Sequence, residues 1–299
     1  MEATVQPGVR ASARSWVAAS TRRAPESKFL SVHPLRAYFT GLSRLFVAGA
    51  AILVVCPAAL AADPVLCQGE ASGHLQGFDS DGQFIYWSMF TNLIKTDRAG
   101  RVIAQRAVDP HHGDCCVHEG NIYVATENRT KERRGLYINV YNCSDLAPVK
   151  EFPIDFRNGG VGGIDGITFA NGFFYVGEGK NKKSEQEFNW IHKFTPDFVA
   201  VEKIKIPGKT IYGVQAMTFA NGFFWLGTYG KDRTYQCDAQ FRIIAHHAVD
   251  VSVGVFGLPE KKKGEIRLMV ARNVKKGNGR WTASAAPAVF RNGRLEWEK

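Results

Sequence analysis

Apolar and polar positions alternate along residues 74–299 in short runs broken by glycine-containing turns, the period of half-buried β-strands rather than of helices. The run TFANGFF occurs at Thr168–Phe174 and again fifty residues later at Thr218–Phe224. Each copy predicts a strand, a two-residue Asn-Gly turn and a second strand, because Asn-Gly is the dipeptide that best tolerates the twin left-handed conformations of a tight hairpin. Weaker copies follow the same plan: FDSDGQFIYW around Gly82, CVHEGNIYVA around Gly120 and GLPEKKKGEIRLMVA around Gly264. The five turn glycines, 82, 120, 172, 222 and 264, are spaced by 38, 52, 50 and 42 residues. Two further alternating runs come after each hairpin, such as NLIKTDRAG with RVIAQRAV or NWIHKFTPDF with AVEKIKIP.

Four strands per unit and five units per chain predict an all-β fold, a five-bladed β-propeller of four-stranded antiparallel blades. The blades fall at about 74–109, 110–155, 163–207, 213–251 and 254–299. A solenoid would need atypical capping repeats, and a two-sheet sandwich would not explain the period. Composition agrees: 30 Gly and 12% aromatic residues suit β-structure, and 45% hydrophobic content excludes disorder and a multi-pass membrane protein.

The first 62 residues read differently. LFVAGAAILVVCPAALAA at 45–62 carries no charge, and residues 1–44 carry seven basic side chains against Glu2 and Glu26. A short apolar stretch, Leu45–Val55, followed by Ala59-Leu60-Ala61 predicts a signal peptide cut near Ala61 or Ala62. Residues 1–62 are then a basic leader and 63–299 a single propeller domain, periplasmic or secreted, with no stable membrane span. An uncleaved anchor is the alternative, although a span wants about 20 apolar residues. Without the leader, 31 basic side chains face 26 acidic ones, so half of the formal +10 disappears. Five cysteines remain, and no CxxC spacing suggests structural zinc. Adjacent Cys115 and Cys116 point to opposite faces of a strand; one bridges Cys143, or both pack as small hydrophobes.

In its repeat architecture the whole mature chain resembles the secreted propellers that include gluconolactonase-like enzymes, nucleotide-pyrophosphate-hydrolysing members and five-bladed lectins. That resemblance implies the fold and leaves the function to the site.

In a propeller the first strand of each blade starts beside the axis and the second returns to the same end. The five starts are HLQG at His74, PHHG at Pro110, GIDG at Gly163, GVQA at Gly213 and GVFG at Gly254. Their third positions, Gln76, His112, Asp165, Gln215 and Phe256, predict a polar ring with one aromatic. With His74 and His111 next to ring positions in sequence, and His74 counted among its ligands, this ring is a candidate divalent-metal site for Ca, Mn or Zn. It is similar in kind to the His and Gln donors of some propeller lyases that act on oligogalacturonate. Channel-lining polar groups also serve simply by bonding water and backbone.

Second-strand ends add Glu127, Glu178, Tyr229 and Arg272. Candidate catalytic residues are therefore His112, Asp165, Glu178 and Arg272, a carboxylate as general base and Arg272 holding an oxyanion or an acid group. Loops 127–136, 179–188, 229–234 and 273–281 hold twelve basic residues, Arg129, Arg133, Arg134, Lys182, Lys183 and Lys231 among them, against five acids. Loop tips are commonly charged because they are wet, but this one-sided charge predicts a basic rim, with Arg133, Arg134, Lys182, Lys183, Lys231 and Tyr229 binding substrate. His246-His247 reads as an outer-strand surface pair. No GxSxG, P-loop, HExxH or dinucleotide fingerprint is present, so no nucleotide cofactor is expected, and export argues against nucleic acid. The expectation is an enzyme of hydrolase or lyase type acting on an anionic carbohydrate, glycan or related small substrate. The alternative is a non-catalytic propeller that binds glycan or protein.

Overall fold

The computed structural model describes residues 64–156 and 163–298; the leader, its cleavage site and the alternative anchor lie outside them. The described chain is all-β, with no helix. A short β1 (Val65–Leu66) precedes four regular blades. Blade 1 is β2 (Leu75–Ser80), β3 (Ile85–Met89), β4 (Asn92–Thr96) and β5 (Val102–Ala107). Blade 2 is β6 (His112–His118), β7 (Asn121–Asn128), β8 (Gly135–Asn142) and β9 (Pro148–Ile154). Blade 3 is β10 (Ile164–Ala170), β11 (Phe173–Glu178), β12 (Phe188–Phe194) and β13 (Ala200–Pro207). Blade 4 is β14 (Ile211–Ala220), β15 (Phe223–Tyr229), β16 (Thr234–Cys237) and β17 (Ile243–His247). Blade 5 holds β18 (Val255–Leu258), β19 (Arg267–Lys275), β20 (Trp281–Arg291) and β21 (Arg294–Trp297), and every sheet is an antiparallel meander.

The Asn-Gly turns adopt the conformation their sequence demands: φ is 51° and 82° at Asn171 and Gly172, and 52° and 81° at Asn221 and Gly222. Because the turns match, the strands keep register. Asp79, Cys116, Thr168 and Thr218 each sit opposite an aromatic residue of the second strand, Tyr86, Tyr123, Tyr175 and Trp225.

Five apolar clusters fill the five seams between neighbouring blades. Tyr86, Leu93, Cys115 and Val124 join blades 1 and 2; Cys116, Ile138 and Phe174 join blades 2 and 3. Tyr175, Phe224 and Tyr235 join blades 3 and 4; Trp225, Val251 and Leu268 join blades 4 and 5. Phe78, Trp87, Phe256 and Met269 close the ring between blades 5 and 1. Cys115 and Cys116 thus serve different seams, and the five described cysteines are buried free thiols. His247 departs from its expected surface place. It is buried between blades 4 and 5, bonded to Gln236 Oε1 at 3.0 Å and accepting the Leu295 N–H at 3.3 Å.

Ring closure uses both ends of the domain. β20 pairs along its second half with β21 and along its first half with β1, Val65 opposite Ala285 and Leu66 opposite Ser284. Ala71 and Trp281 exchange backbone bonds of 2.9 Å, and Leu75 N–H donates to Asn273 Oδ1 at 2.7 Å. The fourth strand of blade 5 is therefore composite, half from residues outside the repeat pattern.

Midway along the axis the innermost positions are Gly77, Asp114, Gly166 and Ala216, and the small ones leave room for Asp114 alone. A Cβ at Gly77 would run into Asp114 Oδ1. Asp114 Oδ2 accepts the N–H of Ile167 at 3.2 Å and of Met217 at 2.9 Å, tying blade 2 to blades 3 and 4. Its carboxylate separates a loop end of the axis, where first strands begin, from a hairpin end, where they turn.

Candidate functional site

At the loop end a cavity of 250 Å³ is lined by His74, Gln76, Phe90, His111, Glu127, Arg129, Asp165, Tyr212, Gln215 and Tyr229. The first strands deliver these side chains through irregular backbone. Register shifts interrupt β2 between Leu75 and Gly77, β6 between His112 and Cys115, and β10 between Ile164 and Ile167. His111 and Tyr212 adopt left-handed backbone, φ 72° and 66°, which is unusual for bulky residues. A backbone relay holds the blade 1 and 2 side: Phe90 N–H to His74 O at 2.8 Å, His111 N–H to Phe90 O at 3.0 Å, and Glu127 N–H to His111 O at 3.2 Å.

Two carboxylates open on the cavity in unlike surroundings. Glu127 is clamped by Arg129 through two bonds of 2.8 and 2.7 Å, and its Oε2 lies 3.4 Å from His111 Nδ1. Gly163 gives Glu127 its space, since a Cβ there would stand 2.7 Å from Oε2. Among the described residues no cation is bonded to Asp165. Its Oδ2 accepts from Gln215 Nε2 at 2.9 Å, and that amide also reaches Tyr212 O at 3.2 Å. Burial, with a smaller push from the Glu127 charge, raises Asp165 to about 7 against the relief given by Gln215.

The imidazoles are set to be neutral. Burial lowers both His74 and His111, with Arg129 adding to the effect at His111. His74 Nε2 is 3.2 Å from Gln76 Nε2, and its ring is flanked by Phe90 and Trp281. Burial raises Tyr229 to about 12, so it enters the cavity as a phenol, edge-on to Tyr212.

Of the residues singled out from sequence, His74, Gln76, Asp165, Gln215 and Tyr229 meet in this cavity. His112 does not: the shift in β6 turns it away, and its Nε2 meets Tyr141 Oη at 3.0 Å in a buried pocket that lowers it to about 3. His111 takes the place at the axis. Glu178 faces the seam of blades 2 and 3, bonded to His192 at 2.7 Å and Lys203 at 3.1 Å. Burial works against its charge there, yet those two partners prevail and hold it below the usual carboxylate range. Arg272 is exposed and stacked on Trp297, 4.2 Å from the ring centre.

Arg133 is engaged by Asp109 and Glu151, whereas Arg134, Lys182, Lys183 and Lys231 are exposed. Among the cations of the basic loops, Arg129 is the one that lines the cavity. Phe256 packs on Phe78 in the core. Among the described residues no group of three or more His, Cys, Asp or Glu side chains is gathered closely enough to hold a metal. Phe90 and Tyr212 are the lining residues that sequence reasoning missed, and His111, which it set only beside the ring, belongs in it. A bulky residue directly before a strand-start glycine, as in Tyr212-Gly213, was the one available hint.

No protein-family model and no curated protein sequence matches the chain. Solved structures do. The glutaminyl cyclase of Myxococcus xanthus superposes with a TM-score of 0.52 at 12% identity, covering 76% of this chain and 95% of that one. A Bacteroides caccae protein of unknown function gives 0.45 at 12% identity, over 64% of this chain and 74% of its own. BamB from Moraxella catarrhalis gives 0.35 at 10% identity, over 69% of this chain and 56% of its own. The likeness is one of fold, that of a β-propeller.

Proposed function

We propose that the loop-end cavity is the active site of an acid–base enzyme acting on a small polar substrate, of hydrolase or lyase type. The observation that carries this reading is the pair of unlike carboxylates on one cavity. Asp165, near 7, holds a proton it can give at neutral pH, while Glu127, clamped by Arg129 and close to His111, is the accepting side. His111, neutral, would take the substrate proton with Glu127 steadying the imidazolium that results. Its 3.4 Å separation from Glu127 is of the kind that tightens when substrate arrives. Tyr229, Gln76 and Gln215 would orient polar groups, and Arg129 would meet an acid group on the substrate.

At 250 Å³ the cavity lies below the usual range for drug-sized ligands, about 300–1,000 Å³, and suits one sugar ring or one amino-acid unit. Uronates and sugar lactones fit the Arg129 contact. The M. xanthus neighbour adds an N-terminal glutaminyl peptide, whose cyclisation makes the same demands. The α-amine attacks the side-chain amide carbon, one group takes the amine proton, and another gives a proton to the departing ammonia.

The test is a turnover screen of these three classes on the purified chain, repeated with Asp165→Asn and Glu127→Gln. We expect one class to turn over and each variant to lose about 10²–10⁴-fold in kcat while remaining folded. Saturable binding without turnover by the unmodified chain would instead mark a binding propeller. Full activity in both variants would remove the carboxylate pair from the chemistry.

A further inference from the structure

The hairpin end of the axis holds a second pocket, of 510 Å³, that shares no residue with the loop-end cavity. Its floor carries the pseudo-equivalent positions of the first strands, Asp79, Cys116, Thr168 and Thr218, and its walls are apolar, Phe169, Phe219 and Leu258 among them. Thr168 and Thr218 are 4% and 8% exposed, and among the described residues neither hydroxyl has a hydrogen-bond partner. Each hydroxyl opens on the pocket and keeps a donor and two lone pairs for whatever enters it. Both line this pocket from neighbouring blades.

Asp79 is the one charged side chain of the lining, and among the described residues no cation is bonded to it. Its oxygens accept the N–H of Val117 at 2.6 Å and of Ser80 at 2.8 Å, which fixes the carboxylate in place and consumes those two donors. The site therefore presents a carboxylate and two free hydroxyls above an apolar wall. It needs a ligand rich in donors, positive and carried on an aliphatic stem.

We infer that the hairpin end is a binding site for an alkylammonium group, the chemistry of a lysine side chain or a small aliphatic amine. An ammonium has three donors and no acceptor, which matches Asp79, Thr168 and Thr218. Its methylene stem covers the apolar wall while the charged head stays with the polar floor.

The probe is n-pentylammonium, titrated calorimetrically into the purified chain at pH 8, where Asp79, raised to about 7 by burial, is ionised, beside n-pentanol and pentanoate as uncharged and anionic counterparts. Saturable binding of the ammonium alone is expected. Thr168→Val with Thr218→Val should weaken it about tenfold or more, since two hydrogen bonds to a charged group are lost. Among the described residues the hydroxyls bond nothing, so this double variant keeps its thermal stability, and any turnover at the loop end stays unchanged. Asp165→Asn, at the other end, leaves pentylammonium affinity as it was. A lysine side chain is distinguished from a free amine by repeating the titration with an acetylated, amidated lysine. Absence of saturable ammonium binding, unchanged affinity in the double valine variant, or loss of affinity in Asp165→Asn would each overturn the assignment, the last by moving the amine to the loop end.

Discussion

The two ends of the axis are built from the same first strands, three to six residues apart, and they differ in regularity. At the hairpin end the pairing of Asp79, Cys116, Thr168 and Thr218 with Tyr86, Tyr123, Tyr175 and Trp225 repeats from blade to blade. At the loop end β2, β6, β10 and β14 all shift register, and His111 and Tyr212 take left-handed backbone. Two-residue turns ending in glycine, Glu119-Gly120, Asn171-Gly172 and Asn221-Gly222, impose one geometry on the hairpins of blades 2, 3 and 4, so equivalent sequence positions become equivalent places. Bulges undo that equivalence strand by strand. The regular end thus offers a ring of small polar groups, whereas the irregular end gathers a different residue from each blade, the arrangement that acid–base chemistry requires.

What keeps the ends apart is Asp114, and removing it is the strongest way to break the comparison. Asp114→Ala strips the acceptor from the N–H groups of Ile167 and Met217 and leaves both buried. A loss of about 2–4 kcal/mol in urea unfolding is expected, from two unsatisfied donors and the void beside Gly77. Asp114→Asn retains one oxygen that serves the same two donors and should cost clearly less. If Asp114→Ala unfolds within about 1 kcal/mol of the parent chain, Asp114 is no clasp and the two ends form one channel.

A smaller effect comes from titration. Burial raises Asp79 and Asp165 to about 7 and Asp114 well above the carboxylate range, so in the folded state these groups keep protons that the unfolded chain releases near its ordinary value of 3.8. The folded state then binds more protons, and stability falls as pH rises through 7. Histidines lowered by burial, His74, His111, His112 and His247, act in the opposite sense, an effect that fades as pH rises past their ordinary value of 6.5. At pH 6.5 the unfolded histidines are still half protonated and offset the carboxylates; between about pH 7 and 8, with Asp114 adding to Asp79 and Asp165, the carboxylates prevail and the melting temperature should drop by roughly 2–6 °C. Asp165→Asn and Asp79→Asn should each flatten the slope, one for each end of the axis. A flat melting temperature across that window in the parent chain would mean that water relieves the burial of both groups.

The contrast between the ends also explains what the sequence made legible. Hairpins, blade count and the opposite faces of Cys115 and Cys116 follow from turn chemistry and a period of two, both local. Gln76, Asp165 and Gln215 could be placed at the axis because pseudo-symmetry survives at those three positions. His111 could not, since a shift of one residue in β6 exchanges it with His112 and leaves no mark in the pattern. Glu178 and Arg272 occupy the same strand-end position as Glu127 and Tyr229, yet nearby His192 and Trp297 draw them elsewhere. The joining of β1 to β20 spans more than two hundred residues and belongs to no repeat, so it too was invisible.

The smallest expected effect concerns the basic loops. Counted in sequence, their charge suggests a strong field over the mouth, but the side chains are spent unevenly. Arg133 is engaged by Asp109 and Glu151, and Arg280 lies 3.4 Å from Glu70. Lys180 is buried and folds its own loop by donating to Gln186 O at 3.0 Å and Phe188 O at 3.2 Å. Arg134, Lys182, Lys183 and Lys231 remain as exposed cations, whose reach at physiological salt is about 8 Å. Changing these four to Ala together should alter stability by less than about 0.5 kcal/mol, because exposed charges free of a fixed geometry contribute little. For an anionic substrate held by Arg129, the same change should raise KM about threefold at low salt and leave it unchanged at high salt, with kcat constant, since steering acts on encounter and not on the reacting atoms. A salt-independent loss, or one much above tenfold, would place one of these lysines or Arg134 in direct contact with substrate and extend the loop-end site beyond its cavity.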